Sequence, residues 1–538
     1  MLRRTNPAIA LAAAAAVALG GCTGSGEPRV AEPGTVAGFA GAVAADAPHA
    51  AMVGRDILGN NGNAVDAAVG MAFTMAVTMP SRAGLGGGGA CVVHKRDDRV
   101  QQALLFFPGV ADKGAAVPAL ARGMAALHAR HGLNRWATLV RPAEKLAAFG
   151  HDISRAFRRD LAAARGRLGP EARRIFLQPD GSVPEVGQRL KQPALGTALA
   201  GIRQRGAGHL TTGSFARGLV EGAGARGHAL TLADLRGQVP GYVEPATASF
   251  GDQTLVTAPA PVGGGASVAG AWQRLRKADL GAADTPARWQ GLFKAWETAA
   301  RDTGATDALA APNGAATGEG AGPGDVGAGF AVGDRFGNFV ACGLTMNALF
   351  GSGDVAGGTG ILMAEPIPPA RAARAVAPAV IGSPHSGRGL FAATAAGDAV
   401  PGALMLDLLA RIHAAGGVDR PYTTAAEGNK ATQRRRPGGA GYAAGTGKRV
   451  AGAKAARIAP LLGAARLGLA PDGGRIHYER EIPAGLPDGL QKAGYATAPV
   501  RAVGRLAVVH CPRGPVAEPE TCTAAADPRG DGMAALAQ

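Results

Sequence analysis

The stretch GDVGAGFAVGDRFGNFVACGLTMNALFGSG, residues 324–353, constrains the fold more than any other. Two apolar runs flank the polar DRFGN turn, and the second runs out into a glycine loop. That pattern reads as strand, turn, strand, loop. Residues 302–326 before it are poor in bulky side chains and read as a flexible linker. A strand pair opening after a linker separates a 38–301 region from a 327–538 region. Residues 23–538 are too many for one ordinary core and enough for two large lobes.

Earlier in the chain, a short strand spans Gly41–Ala44, a helix runs up to GNNGN, and an Ala-rich helix spans Ala64 to about Val77. The Gly and Asn residues at 59–63 supply a left-handed cap and a restart. GLGGGGACVVHK and VQQALLFF read as strands, and residues 117–235 as helix-and-turn units. Thr231 and Asp234 form a capping-type pair. ASFGDQTLVTAPAPVGGGASVAGAWQRL gives strand, Pro/Gly turn, helix. PAVIGSPHSGRGLFAATAAGDAVPGALMLDLLARI gives strand, turn, strand, glycine turn, helix. The organisation is helical layers on strands.

The first 22 residues carry two arginines, an apolar run from Ala8 to Leu19 and small residues before Cys22. This reads as an export signal, too short for the about 20 apolar residues of a membrane span. LGGC resembles a bacterial lipobox, with Cys22 lipidated; an ordinary secretory signal cleaved nearby is the other reading. Residues 23–37 form a tether, and the expected location is the periplasmic face of the cell envelope, the outer membrane before the inner. Lys and Arg exceed Asp and Glu, 56 against 40, with the arginines scattered along helical stretches. The basic, Gly-rich run 428–450 is open to two readings, a contact for acidic lipid or nucleic acid and a solvated loop. Its lack of periodicity favours the loop, and no nucleic-acid partner is expected. Cys511 and Cys522 bracket a Pro-rich loop and suit a disulfide in an oxidising compartment. Cys91 and Cys342 lie in apolar strands and read as buried thiols. No His/Cys cluster has metal-ligand spacing, and neither metal nor cofactor is expected.

Several of these stretches, taken in order, resemble the gamma-glutamyltransferase family of the N-terminal-nucleophile hydrolases. GNAVDAAVGMAFTMAVTMPSRAGLGGGGACVVH (62–94), LKQPALGTALAGI (190–202), LTLADLRGQVPGYVEP (230–245), APAPVGGGASV (258–268), FGSGDVAGGTGIL (350–362) and AAADPRGDGMA (524–534) carry the likeness. The resemblance implies an α+β fold, a four-layer αββα sandwich. It also implies a chain that cuts itself before a threonine, which then attacks a gamma-glutamyl amide such as glutathione. A hydroxyl is a weak nucleophile at neutral pH and needs an adjacent base, here the threonine's own freed amine.

Aligned on FAVGDRFGN, the nucleophile position is Gly327 and the next threonine is Ala328. Thr345 matches the family threonine that supports the nucleophile, and Asn347 a substrate-contacting asparagine; period-two alternation places both on one strand face, opposite Cys342. A strand-end hydrogen-bond pair is the structural alternative for them. Phe107 stands where the family's carboxylate-gripping arginine belongs. Glu365 is near, but out of register with, the group that holds the substrate amine. The family's serine pair becomes Arg374 and Ala375; Arg374 reads as an exposed solvated side chain before a carboxylate ligand. The oxyanion glycines map onto Ala396 and Gly397, whose role uses backbone N–H groups. Thr317, ten residues early, lies in the linker rather than at a strand start. The expectation is an exported, unprocessed lipoprotein of the family without its chemistry. It would hold a small gamma-glutamyl or carboxylate ligand or serve in the envelope, and the membrane is met through the lipid. The alternative is an active transferase or hydrolase with altered machinery.

Overall fold

The computed structural model describes residues 38–259, 264–278, 284–303, 326–369, 375–383, 385–397, 400–419, 458–469 and 475–538. The leader 1–22 with Cys22, the tether 23–37, residues 260–263 of the Pro/Gly turn, Thr317, Arg374 and the basic run 428–450 lie outside them. Along the chain come β1 (Gly41–Ala45), α1 (Pro48–Gly59), α2 (Ala64–Thr78), β2 (Gly88–Lys95), β3 (Val100–Phe106), α3 (Leu120–His131) and α4 (Trp136–Phe149). They continue with α5 (Arg155–Ala164), α6 (Pro193–Arg205), β4 (Gly241–Val243), β5 (Ala246–Phe250), β6 (Gln253–Thr257), α7 (Gly265–Leu275) and α8 (Pro286–Asp302). Further along follow β7 (Gly327–Asp334), β8 (Phe339–Thr345), β9 (Val376–Gly382), β10 (Gly389–Ala396), α9 (Pro401–Ala414), β11 (Arg505–His510), β12 (Thr523–Ala526) and β13 (Met533–Ala537).

Two antiparallel sheets result, one in the order β13-β1-β7-β8-β2-β3-β4 and the other β12-β11-β10-β9-β6-β5. Alternation decides what each face meets. Ala328, Phe330, Val332, Val340, Cys342 and Leu344 enter one core with α2, α3, α4 and α6. Ala377, Ala379, Ile381, Ala393, Ala395 and Leu506 enter a second core with α7, α8 and α9. The remaining faces meet each other, with glycines set against larger side chains. A Cβ on Gly329 would lie 2.4 Å from Thr394, and one on Gly343 2.4 Å from Val376. Glycine at those two places lets the sheets close up. The architecture is α+β, helices–sheet–sheet–helices.

Local rules explain the flanking elements. Asn63 accepts from the Asp66 amide while the Asp66 carboxylate accepts from the Asn63 amide, a capping box that starts α2. All fifteen residues of α2 are buried, which an Ala/Gly/Met helix with no bulky face permits. The Thr231–Asp234 pair forms the same box. Three expectations need correction. The ASFGDQTLVT segment is a hairpin, β5 and β6, rather than one strand, because Gly251 takes a left-handed φ of 61° between them. The linker begins later than residue 302, since α8, with Thr285 as its cap, runs to Asp302. Cys91 and Cys342 are not free thiols: they face each other in the β2–β8 register and form a disulfide. Cys511 and Cys522 are bonded as expected. A three-stranded sheet, Leu467–Leu469, Arg475–Glu479 and Ala496–Val500, was not legible in the sequence.

Candidate functional site

Gly327 opens β7 directly opposite Thr345 at the end of β8, and Ala396 ends β10 opposite Val376 on one side and Arg505 on the other. These register positions gather Gly327, Thr345, Asn347, Ala396 and Gly397 at one rim of the sandwich.

Gly327 is buried and there is no room for a side chain on it. An added Cβ would sit 2.3 Å from the Ala375 carbonyl oxygen and 2.9 Å from a Val376 methyl. Its own carbonyl oxygen accepts from Arg505 Nη2 at 2.7 Å and from Arg82 Nη1 at 3.5 Å. Arg82 also grips Asp160 through Nε and Nη2, at 2.6 and 2.5 Å, with both side chains 2% exposed. Ser81 Oγ donates to the same carboxylate at 2.7 Å. Asp46 faces Arg505 at 3.5 Å and accepts from the Gly329 amide at 2.9 Å, while its own amide donates to the Gly329 carbonyl. Arg82, Arg505 and Asp46 thus hold the first residues of β7, with Asp160 fixing Arg82. Sequence reasoning missed this clamp: Arg82 and Asp160 lie 78 residues apart, and no local pattern marks either.

Thr345 Oγ1 donates to the Val326 carbonyl at 3.0 Å and accepts from the Asn347 amide at 2.9 Å. The strand ends at Thr345, so alternation does not carry through to Asn347 as expected; Asn347 turns into left-handed space at φ 68°. Asparagine tolerates that conformation better than most residues. Its Nδ2 donates to the Glu365 carbonyl at 2.7 Å, and its Oδ1 is buried with no partner. The Glu365 carboxylate meets Arg167 at 3.5 Å. Gly397, at φ 128°, lies against Gly504, where a Cβ would come within 2.7 Å of its Cα. Phe107 is 6% exposed, its carbonyl taken by Gln238 at 2.8 Å. It supplies bulk, not charge.

The layered architecture defines the class, the N-terminal-nucleophile hydrolase fold. The crystal structure of cephalosporin acylase from Bacillus halodurans shares it with a TM-score of 0.69 at 18% identity, covering 92% of this chain and 96% of that one. A sequence model of the gamma-glutamyltranspeptidase family matches residues 50–112 and 107–317, and the chain belongs to that family. Its relatives include glutathione hydrolase 5 proenzyme of Homo sapiens, 32% identical over 249 residues, 41% of this chain and 42% of the relative. Scoloptoxin SSD14 of Scolopendra dehaani is 29% identical over 245 residues, 41% of this chain and 42% of the relative. The capsule biosynthesis protein CapD proenzyme of Bacillus anthracis is 27% identical over 226 residues, with the same two shares. The chain spans less than half the length of these curated relatives in the matched region.

Proposed function

We propose that this protein keeps the gamma-glutamyltranspeptidase fold as a single uncleaved chain without the family's attack chemistry, and serves as a binding protein in the cell envelope. One observation carries the reading. The nucleophile position, Gly327, has neither a hydroxyl nor space for one beside Ala375 and Val376. Oxyanion donors alone leave only residual catalysis once the nucleophile is gone. The 38–301 and 327–538 regions then correspond to the large-subunit-like and small-subunit-like parts, joined through the linker. Two disulfides among the described cysteines support export to an oxidising compartment. Anchoring through a lipid on Cys22 rests on LGGC alone.

A second reading, an active transferase or hydrolase with altered machinery, is favoured by one feature. Asn347 at the rim keeps a buried oxygen without a partner, as a group awaiting a ligand would. A denaturing gel and turnover of a gamma-glutamyl anilide separate the two. The first reading expects one intact band and no turnover above a preparation carrying an empty vector. Two fragments, or turnover that copurifies with the protein, would defeat it.

A further inference from the structure

At the far end of the same strands lies a cavity of about 300 Å³ that no residue of the Gly327 rim lines. It stands roughly 25 Å away by the rise of an eight-residue strand. Its walls come from three turns: β2–β3 with Arg96, β7–β8 with Gly337, and β9–β10 with Ser386 and Arg388. The loop after β11, with Gly514 and Val516, closes it.

The turns are held independently of any ligand. His94 is 1% exposed, and its Nε2 donates to the Gly387 carbonyl at 2.7 Å. Its Nδ1 then accepts from Gln101 Nε2 at 3.3 Å, so the neutral ring is satisfied on both sides. The Cys511–Cys522 disulfide ties down the loop that carries Gly514 and Val516. Glycine bares the walls where the arginine stems pass. A Cβ on Gly337 would lie 2.5 Å from Arg96 Cδ, and one on Gly514 2.9 Å from Arg388 Cγ and Cδ.

Arg96 and Arg388, both partly exposed, differ from the arginines that the fold buries. Arg82, Arg288, Arg466, Arg505 and Arg529 each meet a carboxylate inside the protein. Arg388 forms no ion pair among the described residues, and its Nε is buried with no acceptor. Arg96 meets only the exposed Asp97, at 3.9 Å. No acidic side chain lines the cavity among the described residues. A desolvated guanidinium N–H without an acceptor is costly, and a planar fork suits carboxylate or phosphate oxygens.

We propose that this cavity binds a small oxyanion, a carboxylate or phosphate group, held between the guanidinium groups of Arg96 and Arg388 with the Ser386 hydroxyl as a further donor. The site does not depend on whether the Gly327 rim is active.

Calorimetric titration of the full chain with inorganic phosphate, and separately with glutarate, tests this at an ionic strength fixed with sodium chloride. We expect one-to-one binding of at least one of them, with the stronger probe identifying phosphate or carboxylate as the chemistry. The R96A/R388A variant is expected to weaken that binding at least tenfold with an unchanged far-UV spectrum. Val516→Trp, which fills the cavity from an exposed loop position and leaves both arginines in place, is expected to do the same. Heat no greater than in chloride alone, or binding retained by both variants, overturns the proposal.

Discussion

Arg505 donates a 2.7 Å hydrogen bond to the carbonyl oxygen of Gly327, across 178 residues of sequence. A free N-terminal nucleophile has to present its amine and hydroxyl to substrate. Gly327, which the sequence motif aligns with that position, is gripped by its carbonyl and walled in by Ala375 and Val376.

Restoring the hydroxyl is therefore expected to fail. In Gly327→Thr the new Cβ meets a backbone oxygen at 2.3 Å, which cannot rotate away. We expect no self-cleavage on a denaturing gel and a loss of about 1–3 kcal/mol in urea unfolding, the usual cost of overpacking. Cleavage at residue 327 in this variant would show that the strand start has more freedom than the clamp implies.

The Arg82–Asp160 pair is the most enclosed part of that clamp. Arg82→Ala leaves a buried carboxylate without its partner and is expected to cost about 3–5 kcal/mol. Replacing both members with apolar residues, R82M/D160L, is expected to cost less than the sum of the single changes, because no orphan charge remains. Denaturant melts of the two single variants and the double variant check both statements. Additive losses would mean that the two side chains act separately.

Acid sensitivity follows from two histidines. Burial lowers the pKa of His151 from 6.5 to about 4, and burial does the same to His510. The folded state holds both neutral, so the unfolded chain binds more protons between pH 4 and 6.5. Stability is full above pH 6.5 and is lost as pH falls through that window, by an amount on the order of 3 kcal/mol per histidine. Thermal melts across pH 4–7 measure it. In His510→Gln the slope is expected to be shallower, at the cost of the 2.7 Å bond to Val418.

The Cys91–Cys342 disulfide joins strands 251 residues apart in sequence. Peptide mapping without reductant is expected to recover the two cysteines in one crosslinked species. The C91A/C342A variant is expected to lose about 2–5 kcal/mol, because its unfolded chain is no longer held in a long loop. Two alkylatable thiols in the native oxidised protein would rule the bond out.

Much of the frame was legible because it is written locally. The DRFGN turn between two apolar runs, the Asn63 and Thr231 caps and the glycine loop before β2 each act within a few residues. The β5–β6 hairpin was read as one strand because Gly251 sits in a short run that a single strand also accommodates. Asn347 was placed on the face of Thr345 by alternation, but the strand stops two residues earlier, and only the fold shows its left-handed turn. The disulfide between Cys91 and Cys342 escaped notice for a related reason. Apolar flanks are equally consistent with a buried thiol, and which cysteine stands opposite depends on register between strands far apart in the chain.

The sequence alone determined the layered frame, the family, and a glycine at residue 327. Those depend on residue identity and on periodicities that neighbours enforce. The clamp on Gly327, the lack of space above it and the paired arginines of the far cavity were decided by tertiary structure. Each is a meeting of side chains brought together by sheet register and packing, and the energy of a buried charge depends on what surrounds it, which no local stretch specifies.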